Sequence, residues 1–86
     1  MVYKLIFSAD AINDLKKIDK KHSSKIIKKC KTFLVKDPFH YGKPLKGVFR
    51  GLYRYRVDNF RVIYTIKRSE IIVAVLKVGH RKQVYK

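Results

Sequence analysis

The first 49 residues of this 86-residue chain contain no arginine. All six arginines, Arg50, Arg54, Arg56, Arg61, Arg68 and Arg81, come later, and before them lysine alone supplies positive charge. Acids are scarce throughout: six Asp and Glu face 22 Lys and Arg, a formal net charge of +16. Self-repulsion of that size is relieved by a counter-charged partner, with nucleic acid the first expectation and an acidic protein the second. Only Asp58 and Glu70 lie in the arginine-bearing half, both in expected turns, which argues against paired-carboxylate hydrolysis and carboxylate-held magnesium. A single cysteine, Cys30, excludes an internal disulfide or a cysteine-cluster metal site; it reads as a small core residue in a reducing compartment. No stretch stays apolar for the ~18 residues of a membrane helix, which makes an anionic membrane a weak third partner. The opening MVYKLIFSAD has no sustained apolar run of the signal-peptide kind, so the expected location is the cytoplasm.

With 47% hydrophobic residues the chain can build one core, and a single domain over residues 1–86 is expected. Val2 to Phe7 alternates with period two, as a strand does, and Ser8 then suits a helix N-cap. Ala11, Ile12, Leu15 and Ile18 form the stripe of a first helix. After a polar break at Lys20 to Ser24, Ile26, Ile27, Cys30, Phe33 and Leu34 form that of a second. Asp37-Pro38 stops it. His40, Gly42, Pro44, Gly47 and Gly51 then mark a basic loop with room for one short strand. Leu52 to Val57, Phe60 to Ile66 and Ile71 to Val78 read as three strands, the first two joined by a tight Asp58-Asn59 turn. The expected fold is α+β: a small antiparallel sheet with an N-terminal strand and a helical hairpin, in the order β-α-α-β-β-β.

The strands bear on function through their faces. Arg54 and Arg56 share one side of the first, and pairing through Asp58-Asn59 sets Arg56 opposite Arg61. Like charges opposed across a ladder destabilise it, so three arginines gathered on one face imply an anionic ligand, and Arg81 can complete the group. Arginine binds and stabilises charge but does not give up its proton. Proton transfer falls to His80 or Tyr85. With carboxylates so few, the reaction these groups suit is metal-free and needs no cofactor: a ribose 2′-hydroxyl attacks its own 3′-phosphate, cutting RNA and leaving a cyclic phosphate. The bland alternatives are a solvated face for the lysines of the helices, core packing for Tyr53, Phe60 and Tyr64, and an electrostatic strip for an acidic partner at Arg54 and Arg56. His22 and His40 receive no role.

The opening YKLIFSADAINDLKKI, the run DPFHYGKPLKGVFRGLYRYRV with NFRVIYTI, and the closing VLKVGHRKQVY together resemble the RelE/ParE superfamily of toxins from type II toxin-antitoxin pairs, over nearly the whole length. The resemblance implies a RelE-like fold similar to small microbial ribonucleases, and an mRNA interferase that enters the A site of the 70S ribosome and cuts messenger RNA there. It also implies an acidic, RelB-like antitoxin that wraps the toxin. By position, Arg54 and Arg56 match strand cations that hold RNA, usually lysines in RelE-like members. Arg61 matches the arginine that stabilises the transition state, Arg81 the cation that assists the leaving group, and Tyr85 the tyrosine that activates the 2′-hydroxyl; His80 stands where some relatives have another basic residue. Lys46 and Arg50, in the preceding loop, are expected to add RNA contacts. The ParE branch, which poisons DNA gyrase without cutting RNA, generally lacks this combined cationic and tyrosine set.

Overall fold

The computed structural model describes residues 2–80. A five-stranded sheet carries the structure: β1 (Lys4–Phe7), β2 (Lys43–Pro44), β3 (Tyr53–Val57), β4 (Phe60–Lys67) and β5 (Ile72–His80), in the spatial order β1-β5-β4-β3-β2. β2 to β5 form an antiparallel meander, and β1 joins β5 in parallel, which makes the whole sheet mixed. One face is covered by α1 (Ala9–Lys17) and α2 (Lys20–Lys29). Helix α2 runs on into a π-type turn at Cys30–Leu34, where the Val35 amide reaches back to the Cys30 carbonyl at 3.2 Å. No helix among the described residues is long and apolar enough to cross a membrane.

The local signals act as their chemistry dictates. Ser8 caps α1, its Oγ accepting the Ala11 amide at 3.1 Å. The break expected over Lys20 to Ser24 is confined to Ile18 and Asp19, and Lys20 to Ser24 are helical. Those turns face solvent and carry no apolar rhythm, so their helicity extends backward from the packed turns at Ile26 and Cys30. Asp37 ends that segment and caps a short turn, α3 (Pro38–Tyr41), with proline at its start. The loop beyond it contains the one short strand expected there, β2.

The core lies between the helices and one side of the sheet. Ala11, Ile26, Cys30 and Leu34 meet Tyr55, Val57, Phe60, Val62, Tyr64, Val73, Val75 and Val78. Burial pushes the Cys30 thiol up to about 12, so the thiol stays neutral and inert. Tyr64 is the largest fully buried side chain, and its hydroxyl donates to the Pro38 carbonyl at 2.5 Å, pinning α3 to the sheet. Gly42 makes room for it, since a Cβ there would stand 1.7 Å from the Tyr64 oxygen. Tyr64→Phe should therefore cost ~1–3 kcal/mol in urea denaturation, the range for orphaning a buried carbonyl. Gly42→Ala should cost more, and less in the Tyr64→Phe background than alone; equal costs in both backgrounds would show that the two groups do not compete for space.

Candidate nucleic-acid interface

The side of the sheet opposite the helices is built from cations. Arg56 pairs with Arg61 and Arg54 with Ile63 across β3 and β4, through the two-residue Asp58-Asn59 turn in which Asp58 takes a φ of 54°. Directly paired residues project to the same side of a sheet, so Arg54, Arg56 and Arg61 share this face. Thr65, Lys67, Ala74 and Ile72 continue it over β4 and β5, Ile6 and Lys4 over β1, and Lys43 over β2. No carboxylate stands on it among the described strand residues. Arg54 is half-buried and Arg56 exposed, while Arg61 is only 4% exposed, the one buried charged residue among those described. A guanidinium so enclosed is fixed in direction, and water screens it little, which strengthens its pull on a phosphate.

Strand β5 decides which other groups join. Ile63 pairs with Lys77 but Tyr64 pairs with Val75, so Leu76 is an extra residue, a β-bulge. β1 has ended by this point, and α1 takes over the bare edge: the Ser8 hydroxyl donates to the Leu76 carbonyl at 3.0 Å, and the Val78 amide donates to Asp14 Oδ2 at 2.9 Å. The alternation therefore shifts by one. Val78 enters the core, Lys77 and Gly79 face the arginine side, and His80 faces the helices.

His80 is accordingly separated from Arg61 by the sheet, contrary to the expectation that it shares the arginine site. It pairs with Phe60, its ring 4.6 Å from the Phe60 ring, and both border a recess of about 410 Å³ with Asp14, Lys17, Ile18 and Asp19. His22, given no role from sequence, packs on the same phenyl ring at 5.4 Å and bonds to Asp19 at 2.5 Å. Lys46 and Arg50 flank the 3-10 turn Gly47–Phe49 between β2 and β3, and both are exposed. Thr65, on the arginine face, donates to the Gly51 carbonyl at 3.3 Å and so anchors the end of that loop beside the face. Arg81 and Tyr85 lie outside the described residues. Lys77 and Lys43 belong to the cationic face and were not singled out from sequence. The available signal was a lysine inside an otherwise apolar strand, a position that requires an open side.

Two further features bear on chemistry. Tyr55 and Tyr64 are both held above the usual phenol range, chiefly by burial, and both point to the helical side, so neither can act as a base on the arginine face. The hairpin bearing Arg56 and Arg61 is tied to α2 by Lys25, whose ammonium sits 2.9 Å from Asp58 Oδ2. That hydrogen bond holds the Asp58 carboxyl below the ordinary aspartate range.

Comparison with known proteins agrees with this architecture. A family model described as the ParE toxin of the type II toxin-antitoxin system parDE matches residues 5–85, and the chain belongs to this family of toxins. Within the wider RelE/ParE group, the chain is similar to toxins named RelG and RelE. Toxin RelG of Mycobacterium tuberculosis is 28% identical over 86 residues, covering 100% of this chain and 99% of the relative. The toxin-antitoxin complex RelBE2 from Mycobacterium tuberculosis contains a chain of the same fold, with a TM-score of 0.91 at 27% identity, covering 94% of this chain and 93% of that one. The intact E. coli RelBE toxin-antitoxin complex shares the fold at a TM-score of 0.77 and 21% identity, covering 91% of this chain and 95% of the other.

The Lys25 contact yields a pH prediction. A carboxyl with a depressed folded pKa adds stability above its unfolded pKa and loses it as pH falls through the folded value. In an NMR titration Asp58 should titrate below ordinary aspartates, and Lys25→Ala should return it toward them; an unchanged midpoint in the variant would assign the depression to another cation.

Proposed function

We propose that the chain is a metal-independent endoribonuclease that cuts messenger RNA on the ribosome and is restrained by an acidic antitoxin. The observation that carries this reading is the cationic face on which Arg56 stands opposite Arg61, with Arg61 enclosed and Arg54 alongside, and with no carboxylate among the described strand residues. Arg54 and Arg56, with Lys46 and Arg50 from the adjoining loop, bind the RNA backbone. Arg61 stabilises the charge that develops on the crowded phosphorane. Tyr85 takes the proton from the 2′-hydroxyl as its oxygen attacks the neighbouring phosphorus. The bond from phosphorus to the 5′-oxygen then breaks, with Arg81 stabilising the charge on the leaving oxygen, which takes its proton from water. The products are a 2′,3′-cyclic phosphate and a 5′-hydroxyl end. His80, on the other side of the sheet, takes no part in these steps. An antitoxin fits the same reading because a strongly acidic chain neutralises a +16 protein, and because similar toxins crystallise in complexes with RelB-type partners.

The family model's own description supports a second reading, a ParE-like inhibitor of DNA gyrase that binds its target without cutting RNA. Adding the protein to a translating extract and mapping message 5′-ends separates the two. The nuclease produces cuts within ribosome-bound codons, and Arg61→Ala, verified as folded by circular dichroism, lowers their rate by roughly 10²-fold or more, the scale of one lost transition-state donor. Intact message together with loss of gyrase supercoiling would establish the second reading instead.

A further inference from the structure

We infer that Lys77 is an additional RNA-binding residue, part of a row of cations that crosses the sheet at right angles to the strands and holds a phosphate next to the one being cut. The inference rests on the proposed nuclease reading and extends its site to residues beyond the arginines. The register defines the row: Lys43 pairs with Arg54, Arg54 with Ile63, and Ile63 with Lys77. Strands lie about 4.8 Å apart, so the row spans roughly 14 Å, more than one nucleotide of an extended strand. Three of its four members are cationic. The fourth, Ile63, is only 5% exposed, enclosed between Arg54 and Lys77, and leaves the ligand contacts to the three cations.

A second, shorter row lies one pleat further along, with Arg56 opposite Arg61 and Arg61 opposite Gly79. Here β5 contributes no side chain. The two rows are complementary: where Arg61 grips, the neighbouring position on β5 is bare, and two residues away Lys77 supplies the charge. With a phosphate held at Arg61, the next phosphate along the strand meets Lys77 and Arg54.

The bulge at Leu76 separates this placement from an ordinary surface lysine. Regular alternation from Ile72 would group Lys77 with Val73 and Val75, which are buried in the core. The extra residue, held by Ser8 and Asp14, turns Lys77 out beside like charges, on a face with no carboxylate among the described strand residues. Like charges gathered on a sheet are unfavourable until an anion joins them. A nucleic-acid backbone is favoured over an acidic protein because the row adjoins Arg61, whose enclosure suits a single fixed phosphate oxygen better than a mobile carboxylate.

The test measures cleavage of ribosome-bound message by wild type, Lys77→Ala, Lys77→Arg and, as a charge-matched control from the helical side, Lys16→Ala. Lys77→Ala should raise KM about fivefold with kcat within twofold, the upper end for one solvent-exposed ion pair. Lys77→Arg should restore KM, and Lys16→Ala should leave it unchanged. In parallel, anisotropy of a short RNA carrying a 2′-O-methyl group at the cut site is followed against salt, where Lys77→Ala should reduce the slope of log affinity by about 0.7, one single-strand phosphate. If wild type cuts and Lys77→Ala matches Lys16→Ala in both KM and slope, the row is overturned and the nuclease stands. If wild type leaves message intact while Lys77→Ala still lowers the RNA slope, the nuclease is overturned and the RNA row stands. If Lys77→Ala weakens binding of a poly-glutamate peptide with the RNA slope unchanged, the row belongs to an acidic protein and the inference is overturned.

Discussion

Everything on the cationic side depends on how α1 holds the bulge in β5. β1 is four residues long and β5 nine, so the second half of β5 has no strand on that edge. Ser8 and Asp14 stand in for the missing backbone, satisfying the Leu76 carbonyl and the Val78 amide. Ser8 also caps its own helix, so one hydroxyl fixes the start of α1 and the kink of β5 together. Because side chains alternate along a strand, that one extra residue sets the side on which every later group in β5 appears. Val78 can fill the core only because Lys77 is turned out, and Gly79 comes to lie opposite Arg61 for the same reason.

How much of this the sequence revealed depends on how local each signal is. Ser8 as a cap, Asp37-Pro38 as a stop and Arg56 facing Arg61 across a two-residue turn were all legible, because each is settled by a few neighbouring residues. The bulge was not. IIVAVLKV is apolar on both faces, so its pattern carries no phase, and nothing within it marks Leu76 as supernumerary. The misplacement of His80 beside Arg61 and the oversight of Lys77 both follow from that missing phase. The parallel pairing of β1 with β5 was hidden for a different reason: it joins segments distant in sequence, and no local periodicity records a partner.

The electrostatic design sets one side of the sheet against the other. The helical side obeys ordinary rules, with an apolar core, a neutral thiol and a buried tyrosine satisfied by a carbonyl. The opposite side concentrates cations that repel one another, at a cost met from that core. Any anion that binds the folded state there, whether RNA or an acidic chain, recovers part of the cost and stabilises the fold by mass action. A protein of this type is thus at its least stable when it is free.

The pairing of the first strand with the last also governs when the fold can form. Ser8 reaches Leu76 across 68 positions of sequence, and β1 has no partner at all until Ile72 to Val75 has been made. Helix α2 has β3 and β4 to pack on, through Tyr55, Val57 and Phe60, whereas α1 packs chiefly on β5 and waits for it, and long-range closures of this kind come late in folding. The hairpin that carries Arg54, Arg56 and Arg61 closes between neighbouring residues, so the part of the face that waits longest is the one β5 supplies, with Lys77.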